Sequence, residues 1–413
     1  MKINKEVKDI LLTRLLFSLG ILLLIRIGTF LPVPGINHSD LAFYIERHSV
    51  AKNLISTFSG ENTFVIGVFT LNIFPYINAT IFIQLLLGFS PKLAKLQKEG
   101  DFNGRRSISR LTRFITLLWA IVQSIGVTLY LRQILFDWNY TLAAEIVLWL
   151  TTGSMIVLWL SELITEYGLG NGTSLLVYTN IISNLPNILK RLVLENSENL
   201  TILSILGISI LIFSSLYGIV FLQQGIRKIP LISSKQLNQF SGQDEINSYL
   251  PLRLNQAGVM PIILTTAFLV IPNYIVNLQI FQWLNFLSSF KIFYWIGYFA
   301  LILTFSSFYS SIVLNPKDLS DQLQKMAVTI PGIRPGLQTT FYLKQIIKRI
   351  TLLGATILAI IVVVPNFIES TLNITGLSSL STTSLLILAG VVLDLIREID
   401  NIYYSNVYNN MYQ

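Results

Sequence analysis

Side chains that could carry out chemistry are scarce in this sequence. It contains no Cys and only two His, His38 and His48, which lie ten residues apart in one polar stretch. The absence of Cys removes disulfides, thiolate metal sites and Cys nucleophiles together. Two His could supply at most half of a metal site, so we interpret them as surface residues. We expect no metal, no cofactor and no catalytic residue.

One glycine-rich segment, Gly168-Leu-Gly-Asn-Gly172, resembles a phosphate-binding loop at first sight. No strand precedes it and no Lys followed by Ser or Thr comes after it, so the dinucleotide and P-loop interpretations both fail. Because glycine adopts backbone conformations that other residues avoid, we predict a tight cytoplasmic turn between two helices. With no other enzymatic signature present, we predict that the protein is not an enzyme.

Acidic side chains near the apolar segments all lie close to predicted helix ends: Glu145, Glu162, Glu166, Asp394 and Glu398. Proton-coupled transporters and intramembrane proteases need titratable groups near the middle of the membrane. The absence of titratable groups near the middle of the predicted spans argues against a secondary transporter. That class stays the main alternative, because the helix count and the broken second and fifth spans are common in transporters. The second span is interrupted by Asn72, Pro75, Asn78 and Gln84 and the fifth by Asn180 and Asn184, and such polar interruptions point to the bundle interior or to a water-filled path. A membrane insertase or scaffold without a pore is a third possibility.

The elements that carry these residues are membrane helices. The sequence is 53% hydrophobic and 12% charged with a mean hydropathy of +0.64, whereas soluble proteins carry about 25% charged residues. A spanning helix needs about 20 mostly apolar residues. Ten segments meet this requirement: 14–31, 65–89, 112–131, 143–161, 173–188, 201–222, 258–275, 292–313, 347–365 and 378–396.

The distribution of basic residues predicts the orientation of these spans. If the N-terminus is cytoplasmic, 22 of the 29 Lys and Arg residues fall in inner segments, as the positive-inside rule requires. Both termini are then cytoplasmic, and the first apolar run, which no cleavage site follows, is a retained membrane helix. Two inner loops are long, 223–257 and 314–346, and we interpret them as docking surfaces or as solvated connectors.

Several short motifs carry a family resemblance. Pro75-Tyr-Ile77, Gln84-Leu-Leu86, Lys98-Glu-Gly100 and Gly104-Arg-Arg106 occur in the order found around the second helix of SecY proteins. Further matches follow the topology over nearly the whole chain. They are Arg26-Ile-Gly-Thr29 with Pro32-Val-Pro-Gly-Ile36, Ile164 to Gly172, Asn255 to Pro261, Phe305 to Tyr309 with Asn315-Pro316, and Ile330 to Gly336. The chain thus resembles the SecY family of protein-conducting channels.

The resemblance implies an all-α polytopic membrane protein with ten transmembrane helices in two pseudo-symmetric five-helix halves around a central pore. The halves would be residues 1–195 and 196–413. The implied function is that of the Sec translocase channel, which passes unfolded polypeptides across the membrane and releases hydrophobic segments sideways into lipid.

By position in the matching motifs, the resemblance implies a constriction lined by apolar side chains: Ile77, Ile81, Val177, Ile181, Ile263 and Ile387. A narrow apolar collar gates by excluding water. The i, i+4 pairs among these residues lie on single helical faces, which alone is typical of packing or lipid-facing residues. A plug segment is expected at about 53–62, with Leu54, Ile55 and Phe58 as its apolar residues, although a plain loop stays an alternative.

The resemblance also implies partners. We expect a SecE-like small membrane subunit, a further small membrane subunit, unfolded substrate polypeptides and membrane lipid. A SecA-type motor ATPase or a translating ribosome would dock on Arg227, Lys228 and Arg334, whose positive charge suits acidic faces and RNA phosphates. The alternative is that these residues only enforce topology. The short outer loops and the abundance of Ile, Asn and Leu resemble those of plastid-encoded copies of the family. This resemblance implies the plastid thylakoid membrane, with a bacterial inner membrane as the alternative.

Overall fold

The structure is a computed structural model. It describes residues 5–34, 66–89, 102–132, 139–195, 202–233, 248–256, 258, 260–262, 264–265, 291–372 and 382–412. Within these ranges the chain forms ten named helices: α1 (Lys5–Phe30), α2 (Phe74–Phe89), α3 (Phe102–Leu131), α4 (Tyr140–Tyr167), α5 (Gly172–Glu195), α6 (Ile202–Gln224), α7 (Lys291–Val313), α8 (Pro316–Lys325), α9 (Leu337–Leu372) and α10 (Thr382–Tyr412). Four short strands accompany them: β1 (Ile226–Pro230), β2 (Ile232–Ser233), β3 (Tyr249–Arg253) and β4 (Val328–Thr329).

The helical class predicted from the sequence is confirmed. Among the described residues, five helices are long and apolar enough to cross a membrane, in α1, α3, α4, α7 and α9. Shorter apolar helices occupy Phe74–Gly88 and Ile210–Gln224. Of the predicted span 258–275, only residues 260–262 and 264–265 are described as helical. The predicted division into two pseudo-symmetric halves stays a prediction.

The chain divides into two compact units. One comprises Met1–Arg191 with Val391–Gln413, and the other comprises Leu192–Gly390. In the first unit, the predicted span 65–89 is wrong in its first part, because residues 66–73 form turns and the helix begins at Phe74. Val68 N donates to Leu31 O at 2.9 Å, and Val33 N donates to Ile66 O at 3.0 Å. These bonds hold the turn against the end of α1.

The segment 168–172 is a tight turn, as its glycines predicted. Gly170 has a φ of +82°, a conformation that favours glycine. Leu169 N donates to Ser18 Oγ at 2.8 Å, so the turn lies beside α1. A side chain at Gly170 would meet Leu395 and Glu398 of α10. Part of α1, the α4–α5 turn and the C-terminal part of α10 therefore lie at one end of this unit.

The second unit contains two apolar cores. The first joins α6, α7, α9 and α10 through fully buried residues such as Leu222, Ile302, Leu358 and Leu386. Within the same helix group, the hydroxyls of Ser310 in α7 and Thr351 in α9 are hydrogen-bonded at 2.7 Å. This pairing satisfies both polar groups inside an apolar bundle.

The second core joins the described parts of the two long loops that the sequence predicts to lie on the inner side. β1 pairs antiparallel with β3, and β2 pairs with β4, matching Ile232 with Thr329. α8 begins with Asn315 as its N-cap, whose side chain accepts from Lys317 N. The core contains Ile229, Leu231, Leu252, Leu323, Ile330, Leu343, Ile346, Ile347 and Ile350. We call this part, made of β1 to β4, α8 and the first turns of α9, the docking subdomain, after the role that the sequence analysis predicts for its loops.

Candidate functional site

The apolar residues expected at the constriction are only partly described. Ile77 and Ile81 lie one turn apart on α2, and Val177 and Ile181 lie one turn apart on α5; all four are half-buried. Ile387 on α10 is also half-buried. Ile263 lies outside the described residues, as do the plug residues Leu54, Ile55 and Phe58 and the two His.

The packed face of α2 is a different face from the one that carries Ile77 and Ile81. Ala79, Ile83 and Leu87 form its buried stripe, with exposures of 0%, 5% and 8%. Residues two apart on a helix point about 200° apart. Ile77 and Ile81 therefore point away from the buried stripe, which leaves them available for another role.

A polar pair joins the turn before α2 to α5, beside these residues. Asn72 Nδ2 donates to Asn180 Oδ1 at 3.1 Å, and Asn180 directly precedes Ile181 in α5. The sequence marked both Asn as interruptions of their spans, and such interruptions point to the bundle interior. Asn72 is indeed buried, with 3% exposure. The sequence gives no sign of this pairing, because the two residues lie 108 positions apart in the chain.

The first two docking candidates lie on β1 and are exposed. Lys228 Nζ lies 4.7 Å from the centre of the Tyr249 ring on β3, a cation–π contact. Arg227 is its neighbour on the strand. Ile229 is 2% exposed and anchors the strand in the subdomain core. The strand thus presents two adjacent cations on a fixed backbone.

Arg334, the third candidate, is exposed on a loop with a fixed backbone. Gly332 and Gly336 have φ values of +76° and +104°, so the two glycines are used where left-handed backbone is needed. Thr339 Oγ1 donates to Arg334 O at 2.9 Å, and Ser320 Oγ donates to Gly336 O at 3.1 Å. The loop presents its guanidinium from a defined position.

An open groove of about 550 Å³ lies beside this loop. It is lined by Ile333, Gln338, Phe341, Tyr342, Lys344, Gln345 and Lys348. Phe341 is 71% exposed, and Leu337, one turn before it, is 80% exposed. Sequence reasoning missed these apolar residues. The available signal was an apolar i, i+4 pair inside a segment assigned to a polar loop.

Residues 67–396 match the sequence model of the SecY family. The chain belongs to the SecY family. Curated SecY relatives extend the match to nearly the full length. The protein translocase subunit SecY of Trieres chinensis is 61% identical, and the match covers 98% of each chain. The corresponding subunit of Guillardia theta is 43% identical over 99% of this chain and 97% of the relative. That of Synechococcus elongatus is 39% identical over 96% and 93%.

The fold is that of solved SecY and Sec61 structures. One is a structure described as showing that the SecY plug domain stabilises the closed state and maintains a membrane seal. Its TM-score is 0.62 at 16% identity, with 95% of this chain and 92% of that chain covered. Sec61 in the canine ribosome–channel complex has a TM-score of 0.58 at 16% identity with the same coverage. The chain is therefore a multi-pass membrane protein with the SecY fold.

Proposed function

We propose that this chain is the channel-forming subunit of a Sec-type protein translocase. It passes unfolded polypeptides across a membrane and releases hydrophobic segments sideways into lipid. The observation that carries this proposal is the 61% identity to a protein translocase subunit SecY over 98% of both chains. A secondary transporter gains no support from the relatives or from the fold.

The constriction of this channel is formed by Ile77, Ile81, Val177, Ile181, Ile263 and Ile387. An apolar collar of this kind disfavours water and ions at rest. It offers no fixed hydrogen bonds, so a substrate of any sequence can slide through it. The supporting observation is the position of Ile77 and Ile81, which point away from the buried stripe of α2. The plug, with Leu54, Ile55 and Phe58, closes the outer side.

The docking subdomain receives the partner that drives transport, a SecA-type motor ATPase or a translating ribosome. Arg227, Lys228 and Arg334 are exposed on ordered backbone. The groove beside Arg334 adds apolar contact area next to Lys344 and Lys348. A charged rim around an apolar centre is typical of protein interfaces. A SecE-like small membrane subunit and a further small subunit complete the channel.

The protein resides in the plastid thylakoid membrane with both termini in the stroma. Relatives from algae and cyanobacteria support this assignment, and the excess of Lys and Arg in the inner segments supports the orientation.

The experiment that tests the channel function is transport into proteoliposomes. The chain is reconstituted with a SecE-like subunit and supplied with a motor ATPase, ATP and an unfolded precursor protein. Protease-protected precursor should accumulate only when all components are present. A matched preparation lacking this chain provides the control. Uptake of a small solute without protein transport would instead support the transporter class.

A further inference from the structure

Asn72 adopts a backbone conformation that few residues tolerate. Its φ is +46°, in the left-handed region where Asn and Gly are favoured. Its side-chain Oδ1 accepts from Ile73 N at 2.8 Å, at the start of α2. The opposite end of the same amide, Nδ2, donates to Asn180 Oδ1 at 3.1 Å. One buried amide thus fixes the beginning of α2 and ties it to α5.

The position of this pair relates it to the constriction. Asn180 lies between Val177 and Ile181 on α5. Asn72 lies five residues before Ile77, in the turn that leads into α2. Ile73, which follows Asn72, is only 1% exposed and so anchors the turn in the apolar interior. Any movement of the start of α2 away from α5 must break the Asn72–Asn180 hydrogen bond.

A cavity of about 230 Å³ lies against the pair. It is lined by both Asn and by Arg26, Thr29, Thr179 and Ser183, together with apolar residues of α1 and α5. A buried polar group without a partner is costly. The lining of this cavity is mainly apolar, but its four further polar side chains give an entering water molecule the hydrogen-bond partners that it needs beside the two amides. The pair can therefore separate without leaving its amides unsatisfied.

We propose that the Asn72–Asn180 pair is a releasable positioning contact for the constriction. It holds α2 at a fixed spacing from α5 while the channel is closed, and the cavity beside it hydrates the two amides when α2 moves. This inference rests on the proposed function, since it takes Ile77, Ile81, Val177 and Ile181 to line the constriction.

The spacing between α2 and α5 can be measured directly. Because the chain has no Cys, Cys substitutions at Phe82 and Ile182, which are 44% and 39% exposed, give a unique pair of spin labels. Double electron–electron resonance spectroscopy of the labelled protein in nanodiscs then reports the distribution of distances between the labels on α2 and α5. Asn72→Gly removes the side chain while tolerating the positive φ, and Asn180→Leu replaces the partner by an apolar group of similar size. Both should broaden the distribution.

Thr179→Val is the matched control. Thr179 lines the same cavity, but its hydroxyl donates to Leu176 O within α5. This variant removes one polar group from the cavity without touching the contact between the helices. Its distance distribution should match that of the parent protein. If Asn180→Leu does not accumulate, Asn180→Ser supplies the same comparison.

The second measurement is ion leak per reconstituted channel at rest. Loss of the bond should raise the leaking population about fivefold, the effect of one typical buried hydrogen bond. The double variant Asn72→Gly with Asn180→Leu should leak no more than the worse single variant, because the two residues share one contact.

Each outcome has a distinct meaning. Unchanged distance distributions in both Asn variants would overturn the positioning contact, whatever the channel does. A broadened distribution with normal leak would overturn its role in closure. If polar substitutions of Ile81 and Ile181 also fail to raise the leak, these residues do not line the constriction, and it is the proposed constriction that is contradicted. A purely structural role would lower abundance while leaving the leak per channel unchanged, and that result also counts against the proposal.

Discussion

At the constriction, we expect polarity at Ile81 and Ile181 to increase ion leak. Replacing both by Ser should hydrate the collar and raise resting conductance severalfold, because a polar constriction no longer disfavours water. The matched control places two Ser at exposed positions away from the collar and the cavity, Phe82→Ser on α2 and Phe114→Ser on α3. Conductance of planar bilayers containing purified channels measures the effect. Equal leak from both pairs would remove Ile81 and Ile181 from the collar.

At the docking surface, Arg334→Glu should weaken binding of the motor or ribosome about tenfold, which corresponds to about 1.4 kcal/mol. Topology should be unaffected, since one of many inner charges is changed. Lys325→Glu, an equal change of charge on the exposed last turn of α8, is the control. Binding and export are measured together with abundance and orientation. Normal export would exclude a docking role, and inverted protein would return Arg334 to topology control.

Some of these residue roles follow from the sequence and others need the fold. Prolines and glycines such as those around Arg334 are typical of a loop with a restricted backbone, and the structure shows one. The polarity of Asn72 and Asn180 within apolar spans indicates an interior position, yet their pairing depends on a tertiary contact. Phe341 was missed because its segment was interpreted as a loop, so its i, i+4 spacing from Leu337 was not used.

The elements depart from their predicted limits where tertiary structure intervenes. Hydropathy predicted a helix from residue 65, but residues 66–73 form buried turns. A Cβ at Gly67 would overlap the carbonyl oxygen of Thr29 in α1, a close approach that an apolar window cannot reveal. The strands of the inner loops were not predicted either. They contain two to five residues, too few for a reliable alternation pattern.

Gly354 allows α9 to approach the chain just after β3 closely. A Cβ at Gly354 would overlap the carbonyl oxygen of Leu254, just after β3. We expect Gly354→Ala to destabilise the protein by about 1–3 kcal/mol through overpacking. Gly297→Ala in α7, where open space surrounds the added methyl group, should be neutral or stabilise by up to about 1 kcal/mol. Thermal unfolding in detergent compares the two variants. Equal melting temperatures would contradict the close approach.

For the molecule as a whole, the folding of the inner loops constrains the topology. Ile232 and Thr329 are paired across β2 and β4, so the loops 223–257 and 314–346 must lie on the same side of the membrane. The chain between them must then cross an even number of times. The predicted spans 258–275 and 292–313 would give two crossings, and most of the first lies outside the described residues. The positions of Lys and Arg in the sequence also predicted that both loops lie on one side, with an even number of crossings between them.

Reporter fusions test this topology. Fusions after Gln224 and after Gly336 should both report the stromal or cytoplasmic side, because both positions border the docking subdomain. A fusion near His48 should report the opposite side. Alkaline phosphatase and green fluorescent protein fusions in a bacterial host provide complementary signals. If the fusions after Gln224 and Gly336 reported opposite sides, β2 could not pair with β4, and the predicted helix count would be wrong.

Helix α9 runs without interruption from one apolar core of its unit to the other. Its 36 residues extend about 54 Å, well beyond the ~30 Å hydrocarbon layer. Leu343 and Ile347 pack in the docking subdomain, while Leu358 and Val362 pack among the membrane helices. The stretch from Leu343 to Val362, which joins the two cores, measures about 29 Å and ends before Pro365, a proline inside α9 that removes a backbone hydrogen bond. This stretch acts as a stiff lever. Tilting the docking subdomain by about 5° would move Val362 by about 2.5 Å relative to Leu343, so mechanical work done by a docked partner reaches the bilayer interior directly.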